Sequence, residues 1–161
     1  MNNAAELIHH VPGGGKAYSL VGDRYVILAG GEATGGAYTL IEATVPAGGG
    51  PSLHYHTREE EAFYLLEGEI TFTVGDEEIV ARPGTFVQVP RETRHAFKNR
   101  TSQTARMLIH CSPAGFDKFL AETGTELPSA DAPPLPFSPR DIEKILEVTP
   151  RYGLVMLPPE S

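Results

Sequence analysis

Four side chains in this sequence could act together on one ion: His54, His56, Glu61 and His95. His54 and His56 are two residues apart, so on a strand both imidazoles leave the same face and can reach one point. Glu61 lies five residues beyond His56, the wrong parity for an unbroken strand. The polar run Thr57-Arg58-Glu59-Glu60 supplies a turn or bulge that resets the phase. After it, Glu61, Phe63 and Leu65 share a face, which puts a carboxylate among inward apolar residues. His95 shares its face with Phe97. Three imidazole nitrogens and one carboxylate oxygen make a borderline-soft set. It suits one divalent transition metal (Fe, Mn, Co, Ni, Cu or Zn) and leaves positions open for water or substrate.

The other chemically suggestive residues carry less. His9 and His10 are adjacent and point apart on any strand, so they do not share an ion. His110 reads as an outward or locally paired strand residue. Glu59 and Glu60 read as a solvated turn, with a lesser chance that one hydrogen-bonds a metal ligand from behind. Gly48-Gly49-Gly50 and Gly13-Gly14-Gly15-Lys16 lack the residues and flanking elements of a phosphate loop and read as inter-strand loops. Tyr38, Tyr64, Phe72, Phe97 and Met107 either line a pocket or, as is usual for aromatics in such folds, fill the core. The single cysteine, Cys111, allows no internal disulfide and reads as a reduced strand residue, which favours a cytoplasmic location.

The elements that would position the four residues are short strands. Arg24 to Leu28 ends at Gly30-Gly31, and Ala37 to Val45 is rich in β-branched and aromatic residues. Glu60 to Leu66 turns at Glu67-Gly68 into Glu69 to Val74, where Ile70, Phe72 and Val74 alternate with Glu69, Thr71 and Thr73. Gly75-Asp76 predicts a tight hairpin into Glu77–Ala81. Further strands follow at Thr85–Val89, His95–Lys98 and Ala105–Cys111. Strands this regular, with no helical period between them, predict an all-β sandwich or double-sheet jelly roll. The tail differs. Ser112-Pro113 predicts a helix start, with Phe116, Phe119 and Leu120 on one face and Gly124 as the stop. After a proline-rich stretch from Leu127, Ser138-Pro139 repeats the cap signal, with Ile142, Ile145 and Leu146 on one face. These helices are expected to cover the outside or one mouth of the barrel, or a second subunit. The reading divides a single domain into N-terminal strands and arm (1–36), barrel core (37–112) and C-terminal extension (113–161).

Around the four residues the spacing resembles the two motifs of the cupin superfamily. Gly48, His54, His56, Glu61 and Gly68 match the first, and Gly84, Pro90, His95 and Asn99 the second. The stretch HYHTREEEAFYLLEGEITF looks like the first motif of the small single-barrel cupins, some of which resemble quercetin dioxygenase. The match covers roughly Gly48 to Asn99, about a third of the chain. Glu92 departs from it, standing where the second motif usually has glycine. If that turn needs a positive φ, Glu is awkward there and the turn differs in shape. The resemblance implies a double-stranded β-helix barrel with the metal held by His54, His56, Glu61 and His95, and Glu61 able to act as a catalytic base.

Composition bounds the function. The 161 residues suit one ordinary domain, and 17 glycines with 14 prolines punctuate many short elements. A net charge of -8 argues against nucleic acid and against anionic membranes. No apolar run approaches the roughly 20 residues of a membrane span, and the start MNNAAELIHHVPGGG is not a secretory signal. Three functions fit such a site: a dioxygenase acting on an aromatic or enolisable small molecule, an isomerase or lyase of a sugar or keto acid, and a non-catalytic binding module. The aromatic and aliphatic candidate lining, without an inward Lys or Arg, favours an apolar or aromatic ligand. A homodimer is expected, since strand edges need cover and the tail is long enough to cross a partner.

Overall fold

The alternation of apolar and polar residues resolves into two antiparallel sheets in the computed structural model, which describes residues 4–158. Residues 1–3, the beginning of the stretch read above for a secretory signal, lie outside the described residues. The strands are β1 (Lys16–Leu20), β2 (Asp23–Ala29), β3 (Thr39–Val45), β4 (His54–His56), β5 (Glu60–Glu67) and β6 (Ile70–Val74). They continue with β7 (Glu77–Ala81), β8 (Phe86–Val89), β9 (His95–Lys98), β10 (Ala105–Ser112), β11 (Thr125–Glu126) and β12 (Leu154–Met156). One sheet runs β11-β1-β2-β3-β10-β5-β8 and the other β12-β4-β9-β6-β7. The sheets are not joined into a closed barrel by hydrogen bonds but face each other as a jelly roll.

Their inner faces share one core. Phe63 of β5 meets Phe72 of β6 and Phe97 of β9, with ring centroids 4.9 and 5.9 Å apart, so aromatic contacts cross from sheet to sheet. Met107 and Ile109 of β10 lie beside them, fully buried. Each such side chain contributes roughly 1.5–3 kcal/mol by leaving water. The predicted hairpin forms: Val74 pairs with Glu77, and Gly75, at φ 58°, opens the two-residue loop.

The C-terminal extension holds two helices, α1 (Phe116–Thr123) and α2 (Pro139–Val148), then a 3₁₀ turn at Thr149–Tyr152. The predicted cap of α1 is corrected. Ser112 ends β10 in register with Glu60, and its hydroxyl donates to the Ala37 carbonyl, so it is not free to cap a helix. Gly115 precedes the first turn instead, without a side-chain cap. The second cap forms as read: Ser138 and Asp141 make a reciprocal capping box with Pro139 at the first helical position. On α2, Ile145 and Val148 turn inward, whereas Leu146 is 55% exposed and does not join the predicted face. The sequence reading did not include β12. It pairs antiparallel with β4, placing Leu154 opposite His56 and Met156 opposite His54.

Candidate metal centre

The five-stranded sheet supplies the histidines. On β4 the pattern buried–half-buried–buried sends His54 and His56 inward and Tyr55 outward. His95 on β9 is the direct cross-strand partner of His54, with ring centroids 4.5 Å apart. Glu61 comes from the other sheet, on β5, and reaches across the core. The turn after His56 does reset the phase, since Glu61, Phe63 and Leu65 are all buried. One ligand atom from each of His54, His56, Glu61 and His95 lies within 4.8 Å of the others.

Each imidazole is anchored through Nδ1, which turns Nε2 toward the common point. His54 Nδ1 lies 2.7 Å from the Ser52 carbonyl and His95 Nδ1 2.9 Å from that of Thr93. His56 Nδ1 lies 3.2 Å from Glu59 Oε2. The solvated-turn reading of Glu59 is therefore corrected: it is 4% exposed and holds the His56 imidazole in place, while Glu60 faces solvent. A carboxylate behind an imidazole fixes the tautomer and strengthens the opposite nitrogen as a donor. The sequence signal was present, since a residue three beyond His56 can fold back onto it across a tight turn.

Glu61 Oε2 lies 2.8 Å from His56 Nε2 and 3.1 Å from His95 Nε2. His56 Nε2 nonetheless makes no properly directed hydrogen bond and is a buried polar atom without a partner among the described residues. The electrostatics are those of a site built around positive charge. Burial and the neighbouring His95 push the His54 imidazole down to about 3. Burial also opposes charge on His56, but Glu61 and Glu59 overcome it and raise that imidazole to about 9. Against the same burial, His56 and His95 hold the Glu61 carboxyl well below its usual range. Three buried nitrogens, one carboxylate oxygen and an unsatisfied Nε2 suit a single metal ion.

A cavity of about 60 Å³ opens beside the cluster, bounded by His54, Glu61 and Tyr25 together with Phe97, Phe116 and Phe119. No Lys or Arg lines it among the described residues. Tyr25 donates its hydroxyl to Asp23, 3.1 Å away, whose fully buried carboxyl is raised by desolvation to about 7. Neither residue stood out in the sequence. Of the aromatic candidates, Phe97 does line the cavity, whereas Phe72 and Met107 are core. Tyr64 is 44% exposed, and Tyr38 stacks on His110 at 5.2 Å away from the site. His9 and His10 are exposed. Cys111 is a free, buried thiol, cross-strand partner of Glu61, and burial raises it well above its usual range.

A family model described as "Cupin domain" matches residues 41–111, which contain all four side chains. The chain is 32% identical over 106 residues to quercetin 2,3-dioxygenase of Bacillus subtilis, covering 65% of this chain and 31% of that protein. It is 33% identical over 78 residues to polyketide synthase CurC of Streptomyces cyaneus, covering 48% of this chain and 51% of that protein. The chain thus spans a third to a half of the length of these curated relatives. Among solved structures, an RmlC-like cupin from Shewanella frigidimarina superposes with a TM-score of 0.61 at 18% identity, over 71% of this chain and 96% of that one. Fold, motif and site agree: residues 41–111 form a small cupin domain.

Proposed function

We propose that the protein is a metal-dependent dioxygenase of an aromatic or enolisable small molecule, with His54, His56, Glu61 and His95 as the ligands. The observation that carries this reading is the junction of a buried three-histidine, one-carboxylate cluster with an almost wholly apolar cavity. A divalent transition metal, when bound there, supplies a Lewis acid that favours an enolate over an enol and an electron-transfer partner for dioxygen. The chain's own residues do the rest. Glu61, the carboxylate that borders both the cluster and the cavity, is the base in this reading, taking the proton that an enolisable ligand gives up. Phe97, Phe116 and Phe119 exclude water and offer no cation to a phosphate, which disfavours a sugar-phosphate isomerase. The likeness to a quercetin dioxygenase supports the same reading.

Elemental analysis of protein purified without added metal, followed by oxygen uptake with flavonols and other enolisable phenols, tests it. Stoichiometric metal with uptake that depends on an enolisable hydroxyl is expected. Metal without any uptake across the panel would favour the non-catalytic binding module.

The same reading includes a cytoplasmic homodimer. Tyr64 and Phe86, cross-strand partners on β5 and the edge strand β8, are 44% and 61% exposed and need cover. Sedimentation at micromolar concentration should give twice the monomer mass, and a monomer alone would remove this part of the reading.

A further inference from the structure

The inner cavity is small for the ligands just considered. Sites for small organic molecules occupy about 300–1,000 Å³, against roughly 60 Å³ beside the cluster. A second cavity of about 270 Å³ adjoins it. The two share Val21, Pro51, Ile145 and Met156, drawn from the β1–β2 turn, the segment before β4, helix α2 and strand β12. These four apolar residues border both the inner chamber and the outer groove and are all that the two linings have in common. Together the two spaces reach the lower end of the usual range.

The groove has a particular character. Three consecutive glycines, Gly48, Gly49 and Gly50, border it and contribute no side chains. Phe137 borders it too and is 57% exposed, an aromatic ring left largely in water. Its backbone is held: Phe137 lies against the β1–β2 turn near Gly22, and the next residue, Ser138, is locked in the α2 capping box. Val21, which borders both spaces, keeps φ at 47°, a left-handed conformation that strains a β-branched residue. Such strain concentrates where a ligand passes or binds. Bare backbone beside an exposed, well-anchored phenyl ring suits a flat ring, and Lys98, which also borders the groove, adds a cation that an aromatic face attracts.

We propose that the outer groove is a second subsite, which takes a planar aromatic ring of the same ligand whose small enolisable end fills the inner cavity, and that Phe137 sets this preference. The inference rests on the metal-centre reading above. A small inner space beside a larger outer one calls for an elongated ligand, slim at its inner end and with its bulk in the groove.

Two metal-chelating probes separate the subsites without turnover, in titrations of the metal-loaded full chain. Acetohydroxamic acid is small enough for the inner cavity alone, and 4-phenylbutanohydroxamic acid carries a ring on a thin tether. The longer probe should bind about tenfold more tightly to the wild type. Phe137→Ala, at an exposed position, should bring the two within about twofold while leaving acetohydroxamic acid unchanged, and Phe137→Trp should restore the difference. Equal affinities in the wild type, or a preference untouched by Phe137→Ala, would overturn the subsite and leave the metal centre standing. Failure of both probes to bind would overturn the metal-centre reading and this inference with it.

Discussion

At the scale of single residues, the centre divides its work between atoms that face inward and atoms that hold them. Replacing His54 or His95 with Ala should cut metal occupancy by about tenfold or more, since losing a ligand costs at least as much as losing a group behind one. Glu59→Gln keeps the shape but removes the charge behind His56, and a loss of about 10–100-fold in affinity is expected. His9→Ala and His110→Ala should change nothing, and metal analysis of the purified variants checks the whole series. The pH dependence follows from His56. Below about 9 its imidazole is protonated in the metal-free protein, and that proton must leave before a metal can be ligated. Apparent affinity in a competitive chelator titration should therefore rise by about tenfold per pH unit from 7 to 9 and level off above. The metal-free fold shows the opposite sign. Stability from the His56 pair is fully present below about 6.5 and is lost as pH rises through about 9. The partner contribution of Glu61, whose carboxyl is held low, is lost only in acid.

At the scale of elements, the turn between β8 and β9 shows what a departure from the family motif costs. Glu92 keeps the positive φ, at 62°, that glycine would adopt freely, and its N–H still donates to the His56 carbonyl at 2.8 Å. The turn thus takes the left-handed conformation with Glu in place and carries its strain. Glu92→Gly should stabilise the protein by about 0.5–1 kcal/mol, the left-handed penalty less the added freedom of the unfolded chain. Urea denaturation would show it, and a loss of stability would mean that the side chain has a role the backbone does not reveal. The strands themselves were legible because each buries one face, and a period of two is hard to mistake in Glu60–Glu67 or Ala105–Ser112. The four ligand candidates were legible for the same reason, once a turn was allowed to reset the phase. Three things were not. Strand β12 is three residues long, too short to show a period. Glu59 looked, with Glu60, like part of a solvated turn, because only the fold-back of the turn tells it apart. The start of α1 was misplaced because Ser112 is claimed by β10, a tertiary demand that the local cap signal does not contain.

At the scale of the whole molecule, the centre lies between the sheets. Three ligands belong to the five-stranded sheet and Glu61 to the seven-stranded one, so a bound ion would tie the two together. Metal that binds only the folded state stabilises it by about 2.7 kcal/mol at a hundred times its dissociation constant. Chelation should lower the melting temperature by several degrees and metal return should restore it. A melting curve indifferent to metal would mean that the ion does not bridge the sheets. The origin of the cavity walls has a separate consequence. All four ligands lie between residues 54 and 95, whereas Val21, Tyr25, Phe116, Phe119, Ile145 and Met156 come from the flanking segments. The candidate ligands and much of the cavity wall are thus written in different stretches of one gene. Recombination that exchanges the flanks would reshape the cavity without touching the four candidate ligands, and a chimaera grafted at Val45 and Ser112 is the natural unit for doing so by design.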